Sequence, residues 1–139
     1  MSSCALSILA FDINNDGWTD LAASYPDSAR LVLNTGGHLE PSPSLPQARG
    51  PLAFADFENR ALADLVTGAG TFRNQGIVVS QSSTLKVPVN AVALAVADFN
   101  NDGRMDAAGI EADGSIHLYF NETETTKSFI PRIGHTRNA

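Results

Sequence analysis

Cysteine, clustered basic residues and long apolar runs are all scarce in this chain of 139 residues. Cys4 is the only cysteine, which excludes a disulfide within the chain and leaves pairing silent on redox compartment. With neither a histidine partner nor a helix start beside it, Cys4 reads as an unreactive thiol. The nine Lys and Arg residues are scattered from Arg30 to Arg137, so the basic face of a nucleic-acid binder is not expected. No apolar stretch approaches the length of a membrane-spanning helix, and insertion into a bilayer is not expected either. The run at residues 6–11 has no basic residue ahead of it and ends at Asp12, which fits a strand better than the core of a leader peptide. Helical periodicity is also missing.

The chain nevertheless has 43% hydrophobic and only 17% charged residues, the balance of a globular domain able to bury a core. Its net charge of −6 is unevenly placed. Eight of the ten aspartates fall in three short stretches. The first stretch reads Asp12-Ile13-Asn14-Asn15-Asp16-Gly17-Trp18-Thr19-Asp20, and it recurs as Asp98-Phe99-Asn100-Asn101-Asp102-Gly103-Arg104-Met105-Asp106. Between them lies a worn copy, Asp56-Phe57-Glu58-Asn59-Arg60-Ala61-Leu62-Ala63-Asp64, and the first aspartates are 44 and 42 residues apart. Self-similarity at that period marks a chain of repeated units.

The intact copies have the chemistry of a hard-cation site. Calcium takes six to eight oxygens, and carboxylates and amide carbonyls on alternate residues of a turning loop can converge on one point. In D-x-N-x-D-G-x-x-D the side chains at positions 1, 3, 5 and 9 can supply oxygen. Position 7 can offer its backbone carbonyl, and Gly at position 6 permits the sharp turn. An EF-hand opens in the same way but needs Glu at position 12, where this chain has Ala23 and Gly109, and Pro26 would interrupt the following helix. Magnesium fits less well, because it demands tighter octahedral geometry and keeps several waters. A metal-free Asx turn is the plain alternative, weakened by the recurrence of the same polar and Gly positions in two places.

Short strands separated by turns account for the rest. The expected strands of the first copy are residues 7–11, 21–24 and 30–33, followed by a turn at residues 34–37. The proline-rich stretch 41–46 should be an outer edge or a connector. The second copy is read as 52–56, 64–67, 76–80 and 85–89, and the third as 91–98, 106–110, 115–120 and 127–133. Four strands recurring every forty-odd residues read as propeller blades.

The apolar strand ending in Asp, the D-x-N-x-D-G-x-x-D loop, the apolar strand after it and the repeat length together resemble the FG-GAP or VCBS-type repeats. Their blades build β-propellers such as the integrin α-subunit head. The resemblance implies an all-β propeller of four-stranded blades, with blades at about residues 5–48, 49–90 and 91–135. It implies calcium (Ca2+) at two sites, held by Asp12, Asn14, Asp16, Asp20 and the Trp18 backbone, and by Asp98, Asn100, Asp102, Asp106 and the Arg104 backbone. It also implies adhesion or ligand recognition at the cell surface or outside the cell, with a protein or glycan as ligand.

The middle loop, with Arg60 and Ala61 at positions 5 and 6, is expected to bind no metal, its Arg60 pairing with Asp56 or Asp64 instead. No Ser-His-Asp or Cys-His arrangement and no phosphate-cradling Gly loop is apparent, so an enzyme is not expected. A propeller lectin, or the accessory part of a larger secreted hydrolase, is the alternative. Trp18 is expected to lie against a neighbouring blade, and His38, His117 and His135 to be surface or strand residues. Asn121-Glu122-Thr123 is a glycosylation acceptor only on a eukaryotic secretory route. Three blades are fewer than the four to eight of closed propellers. Apolar strands around Ile8, Leu9, Val66, Val79, Leu94, Val96 and Leu118 are therefore expected to leave open faces, buried by self-association into a six-bladed homodimer.

Overall fold

The computed structural model describes residues 4–76, 79–81, 90–121 and 130–134. Among these there are thirteen strands and no helix, and every sheet is antiparallel. The first sheet has β1 (Ser7–Phe11), β2 (Asp20–Ser24), β3 (Ser28–Thr35) and β4 (His38–Pro41) in chain order, with the short β5 (Leu45–Pro46) pairing the start of β3. The second runs β6 (Leu52–Ala55), β7 (Asp64–Thr67), β8 (Gly70–Asn74) and β9 (Val79–Gln81). The third runs β10 (Ala91–Ala97), β11 (Asp106–Glu111), β12 (Ile116–Phe120) and β13 (Ile130–Gly134).

Register places the three loops alike. The last aspartate of each loop opens the second strand of its sheet and pairs across the hairpin, Phe11 with Asp20, Ala55 with Asp64 and Ala97 with Asp106. The proline-rich stretch lies at the sheet edge, Pro41 and Pro46 both pairing with β3, where a missing N–H faces outward at no cost.

Because strand side chains alternate between faces, each hairpin feeds two interfaces. Ile13, Ala22, Ala29 and Leu31 of the first sheet pack on Leu52, Leu65 and Phe72 of the second. The opposite face of the second sheet, with Ala53, Ala55, Phe57 and Val66, packs on Ala107, Leu94, Val96, Met105 and Tyr119 of the third. The middle sheet is thus covered on both sides, and β7 is buried along its whole length. Burying a side chain such as Leu65 or Phe72 contributes about 1.5–3 kcal/mol. The first strands β1, β6 and β10 gather at one side of the stack, where Phe11 and Phe54 stack with ring centroids 4.9 Å apart. Gly68 closes the junction there: a Cβ on it would lie 2.6 Å from the Ala91 carbonyl oxygen, so only glycine fits the crossing.

Several expectations are corrected. In the second sheet the third strand is β8, ending at Asn74, and the fourth is β9, rather than residues 76–80 and 85–89. The hairpin after β7 is short, with Thr67 Oγ1 taking the N–H of Ala69 and donating to the carbonyl of Gly70, so the chain turns back at once. The stretch 85–89, the Val79 side chain and His135 lie outside the described residues. Val66 belongs to the interior, and Leu9, Leu94 and Val96 pack against the two cores, whereas Ile8 is exposed.

Candidate metal loops and the latch beneath them

The two intact loops have one and the same internal geometry. In the first, Asp12 receives the N–H groups of Asp16 at 3.1 Å and Gly17 at 2.8 Å, and in the third Asp98 receives those of Asp102 at 3.1 Å and Gly103 at 2.8 Å. Asn14 accepts from the Asp16 N–H at 3.2 Å and donates to Asp16 Oδ2, as Asn100 does with Asp102. Asp16 and Asp102 accept the N–H of Trp18 at 2.8 Å and of Arg104 at 2.9 Å. Position 4 is left-handed in all three loops (Asn15, Asn59 and Asn101, with φ of 59, 52 and 60°). Position 6 is too, at Gly17, Ala61 and Gly103, with φ of 90, 61 and 86°.

Asp12, Asn14 and Asp16 therefore turn their oxygens onto one small loop, near the solvent, and Asp98, Asn100 and Asp102 repeat this. The donor set is all oxygen and rich in carboxylate, which suits a hard divalent cation. Among the described residues no three acidic, His or Cys side chains form a ready cage, since the carboxylates hold the loop's own N–H groups. Each carboxylate oxygen has a further lone pair beyond the one an N–H occupies. The residues that would hold calcium are thus those of the motif.

Asp20 and Asp106 have an additional task. Both are fully buried. Asp20 accepts the N–H of Ile13 at 2.8 Å and of Asn34 at 2.7 Å, and Asp106 accepts the N–H of Phe99 at 3.0 Å and of Asn121 at 2.8 Å. Each clamps loop position 2 to the end of the third strand. Asn34, Asn74 and Asn121 are equivalent residues there, and no motif search would single them out. The side chain of Asn74 donates to the Ile13 carbonyl at 2.6 Å and to Ala63 at 3.0 Å, and that of Asn121 donates to the Phe57 carbonyl at 2.9 Å. Each of these two asparagines reaches back to position 2 of the preceding loop and fastens one sheet to the next.

The middle loop keeps the backbone turn without the ligands. Asp56 receives the N–H of Arg60 at 2.9 Å and of Ala61 at 2.7 Å. The Arg60 guanidinium does not turn to Asp56. It reaches Asp64 Oδ1 at 2.8 Å and the Asn74 carbonyl at 3.1 Å, and lies against Glu58, which also pairs with Arg73 at 2.9 Å. Asp64 is fully buried and its Oδ2 has no hydrogen-bond partner. Burial pushes its carboxyl above the ordinary value, with Glu58 adding to the rise, against the pull of the Asn74 N–H and the Arg60 charge.

Three other expectations meet the geometry here. The Trp18 side chain is 48% exposed rather than covered by a neighbouring sheet. Asn121 is buried with its amide spent on Phe57, which leaves no room for a glycan. His117 sits on β12 with Nε2 3.3 Å from Glu111, an ion pair only when protonated.

Three antiparallel sheets, each with an Asp-rich loop between its first two strands, define an all-β repeat protein. Residues 12–67, from the first loop to the end of β7, match the family model described as FG-GAP-like repeat. No curated protein and no solved structure gives a significant match to the chain.

Proposed function

We propose that the chain is a three-bladed segment of a calcium-stabilised β-propeller that serves, without enzymatic activity, as an adhesion or ligand-recognition module outside the cell. The identical geometry of the Asp12–Asp20 and Asp98–Asp106 loops carries the calcium part of this reading. So does the guanidinium that stands at the middle loop in place of the missing ligands. Bound calcium would neutralise the clustered carboxylates and fix the loop between two strands. Position 2 of the first loop is also the anchor for the next sheet, so a stiffer loop supports the stack.

Calcium should raise the melting temperature, since a ligand bound only by the folded state contributes about 2.7 kcal/mol at a hundred times its dissociation constant. Asp16→Ala or Asp102→Ala should remove one site's share. An identical melting temperature in excess calcium and in chelator overturns the calcium reading.

The exposed Trp18 ring, beside the first loop, favours a glycan as the recognised ligand, because an open indole is a stacking surface for a sugar. Wild type and Trp18→Ala compared on a glycan array test this. Equal signals for the two proteins would remove the reason for preferring a glycan.

A further inference from the structure

The two internal seams obey one rule that the outer faces of the stack repeat. At each seam, loop position 2 and the second residue after the loop look forward to the following sheet. These are Ile13 and Ala22 at the first seam, and Phe57 and Val66 at the second. The first residue after the loop and its cross-strand partner look back, namely Leu65 with Phe72 and Ala107 with Tyr119. The asparagine at the end of the third strand then donates to the preceding position-2 carbonyl.

Carried to the third sheet, the forward face consists of Phe99, Ala108 and Leu118, the last two paired across β11 and β12. Phe99 is 44% exposed, whereas Ile13 and Phe57 in the same place are 1% and 5% exposed. Carried to the first sheet, the backward face consists of Leu21, its partner Val32, and Asn34. Both apolar residues are half-buried, while Leu65 and Phe72 in the equivalent places are buried. The Asn34 amide donates to the Thr19 carbonyl at 3.1 Å, matching the bond from Asn74 to Ala63. Its second N–H, which in Asn74 crosses the seam, has no acceptor among the described residues.

One chain thus carries both halves of a third seam on opposite faces. We infer that a second copy of this chain docks head to tail, with Phe99, Ala108 and Leu118 of each copy covered by Leu21, Val32 and Asn34 of the other. The Asn34 amide then donates to the partner copy's Phe99 carbonyl. Two such seams close a two-fold ring of six sheets. A copy is the fitting occupant because the complement of each open face is already built on the same molecule, in a geometry that works twice inside it. This rests on the propeller arrangement proposed above but not on its calcium.

The test is mass in solution by light scattering behind a sizing column, in calcium and in chelator. The wild-type chain should run as a sharp species of twice the chain mass. Phe99→Arg, at an exposed position, and Val32→Arg, at a half-buried one, should each run at the chain mass with unchanged circular dichroism. Mixed in equal amounts they should recover the doubled mass, because the mixture retains one unaltered seam. A wild-type monomer, an open-ended polymer, or two variants that fail to complement each other would overturn the inference. A dimer whose melting is indifferent to calcium would sink the calcium reading alone, and a calcium-stabilised monomer would sink this one alone.

Discussion

Replacing Asn74 by alanine is the sharpest probe of how the sheets are fastened together. The side chain is fully buried and makes three hydrogen bonds: to the Ile13 carbonyl at 2.6 Å, to the Ala63 carbonyl at 3.0 Å, and from the Gly76 N–H at 2.9 Å. In Asn74→Ala two carbonyls lose their donor in a place water cannot easily reach, at about 1–3 kcal/mol each. The half-buried Gly76 N–H can be rehydrated and adds little. A total of about 3–4 kcal/mol follows, a large part of the roughly 5–15 kcal/mol that holds an ordinary domain folded. Asn34→Ala removes the equivalent residue on an open face, where solvent replaces the lost bonds, and should cost about 0.5–1 kcal/mol. Urea titrations followed by circular dichroism, run dilute enough to keep chains single, measure both. The midpoint should drop far more for Asn74→Ala than for Asn34→Ala, with the slope unchanged. If the two variants lose equal stability, the latch between sheets is not what the geometry indicates.

Ala61→Gly should stabilise the chain by about 1 kcal/mol, because alanine at φ of 61° adopts a conformation that glycine takes without steric cost; a melting temperature that stays put or falls would refute this. Arg60→Met should cost about 3 kcal/mol, the low end for stripping a buried carboxylate of its partner, since Arg60 is itself 25% exposed and Glu58 keeps Arg73. Arg60→Lys should recover only part of that loss in the same denaturation assay, as one ammonium cannot reach Asp64, Glu58 and the Asn74 carbonyl together. Asp64 holds its proton more tightly folded than unfolded, so its contribution is fully present below the ordinary value of 3.8 and is lost as pH rises through the higher folded value. The stability of wild type relative to Asp64→Asn should therefore fall over that acidic interval and be flat above it, and a difference that rises with pH would contradict the burial argument.

Reading the loops from the sequence worked because their signal is local. Asp, Asn and Gly at fixed spacing dictate the turn, and the left-handed positions Asn15, Gly17, Asn101 and Gly103 follow from residue type alone. The strands on either side were legible for the same reason, and β1 runs as expected from Ser7 to Phe11. The second sheet was harder, since nothing in residues 68–76 distinguishes a two-residue hairpin from a longer glycine turn. The strand β8 was displaced as a result, and with it the equivalence of Asn74 to Asn34 and Asn121. That equivalence depends on pairing across 61 and 64 residues, from Asn74 to Ile13 and from Asn121 to Phe57. A lone asparagine at a strand end carries no mark of such a partner. The exposure of the Trp18 side chain is not legible locally, because a large aromatic is usually covered and exposure here is decided by how the sheets stack.

Position 2 of the loop joins the local chemistry to the long-range assembly. Its N–H is held within its own sheet by the last aspartate of the loop, as Ile13 is by Asp20. Its carbonyl is held from the next sheet by an asparagine, as Ile13 is by Asn74, and its side chain fills the seam between them. One residue is thus fixed from three directions, and the aspartate that fixes it is the ninth residue of the metal motif. The middle loop keeps that aspartate without its bond to position 2: Asp64 Oδ1 accepts from the Asn74 N–H and the Arg60 guanidinium, while Oδ2 has no partner. Arg60 supplies the positive charge beside Asp64, and Glu58 with Arg73 completes the balance. The worn copy has lost the carboxylate at position 5 and the glycine at position 6 while keeping the aspartate that ties the loop to the end of the third strand.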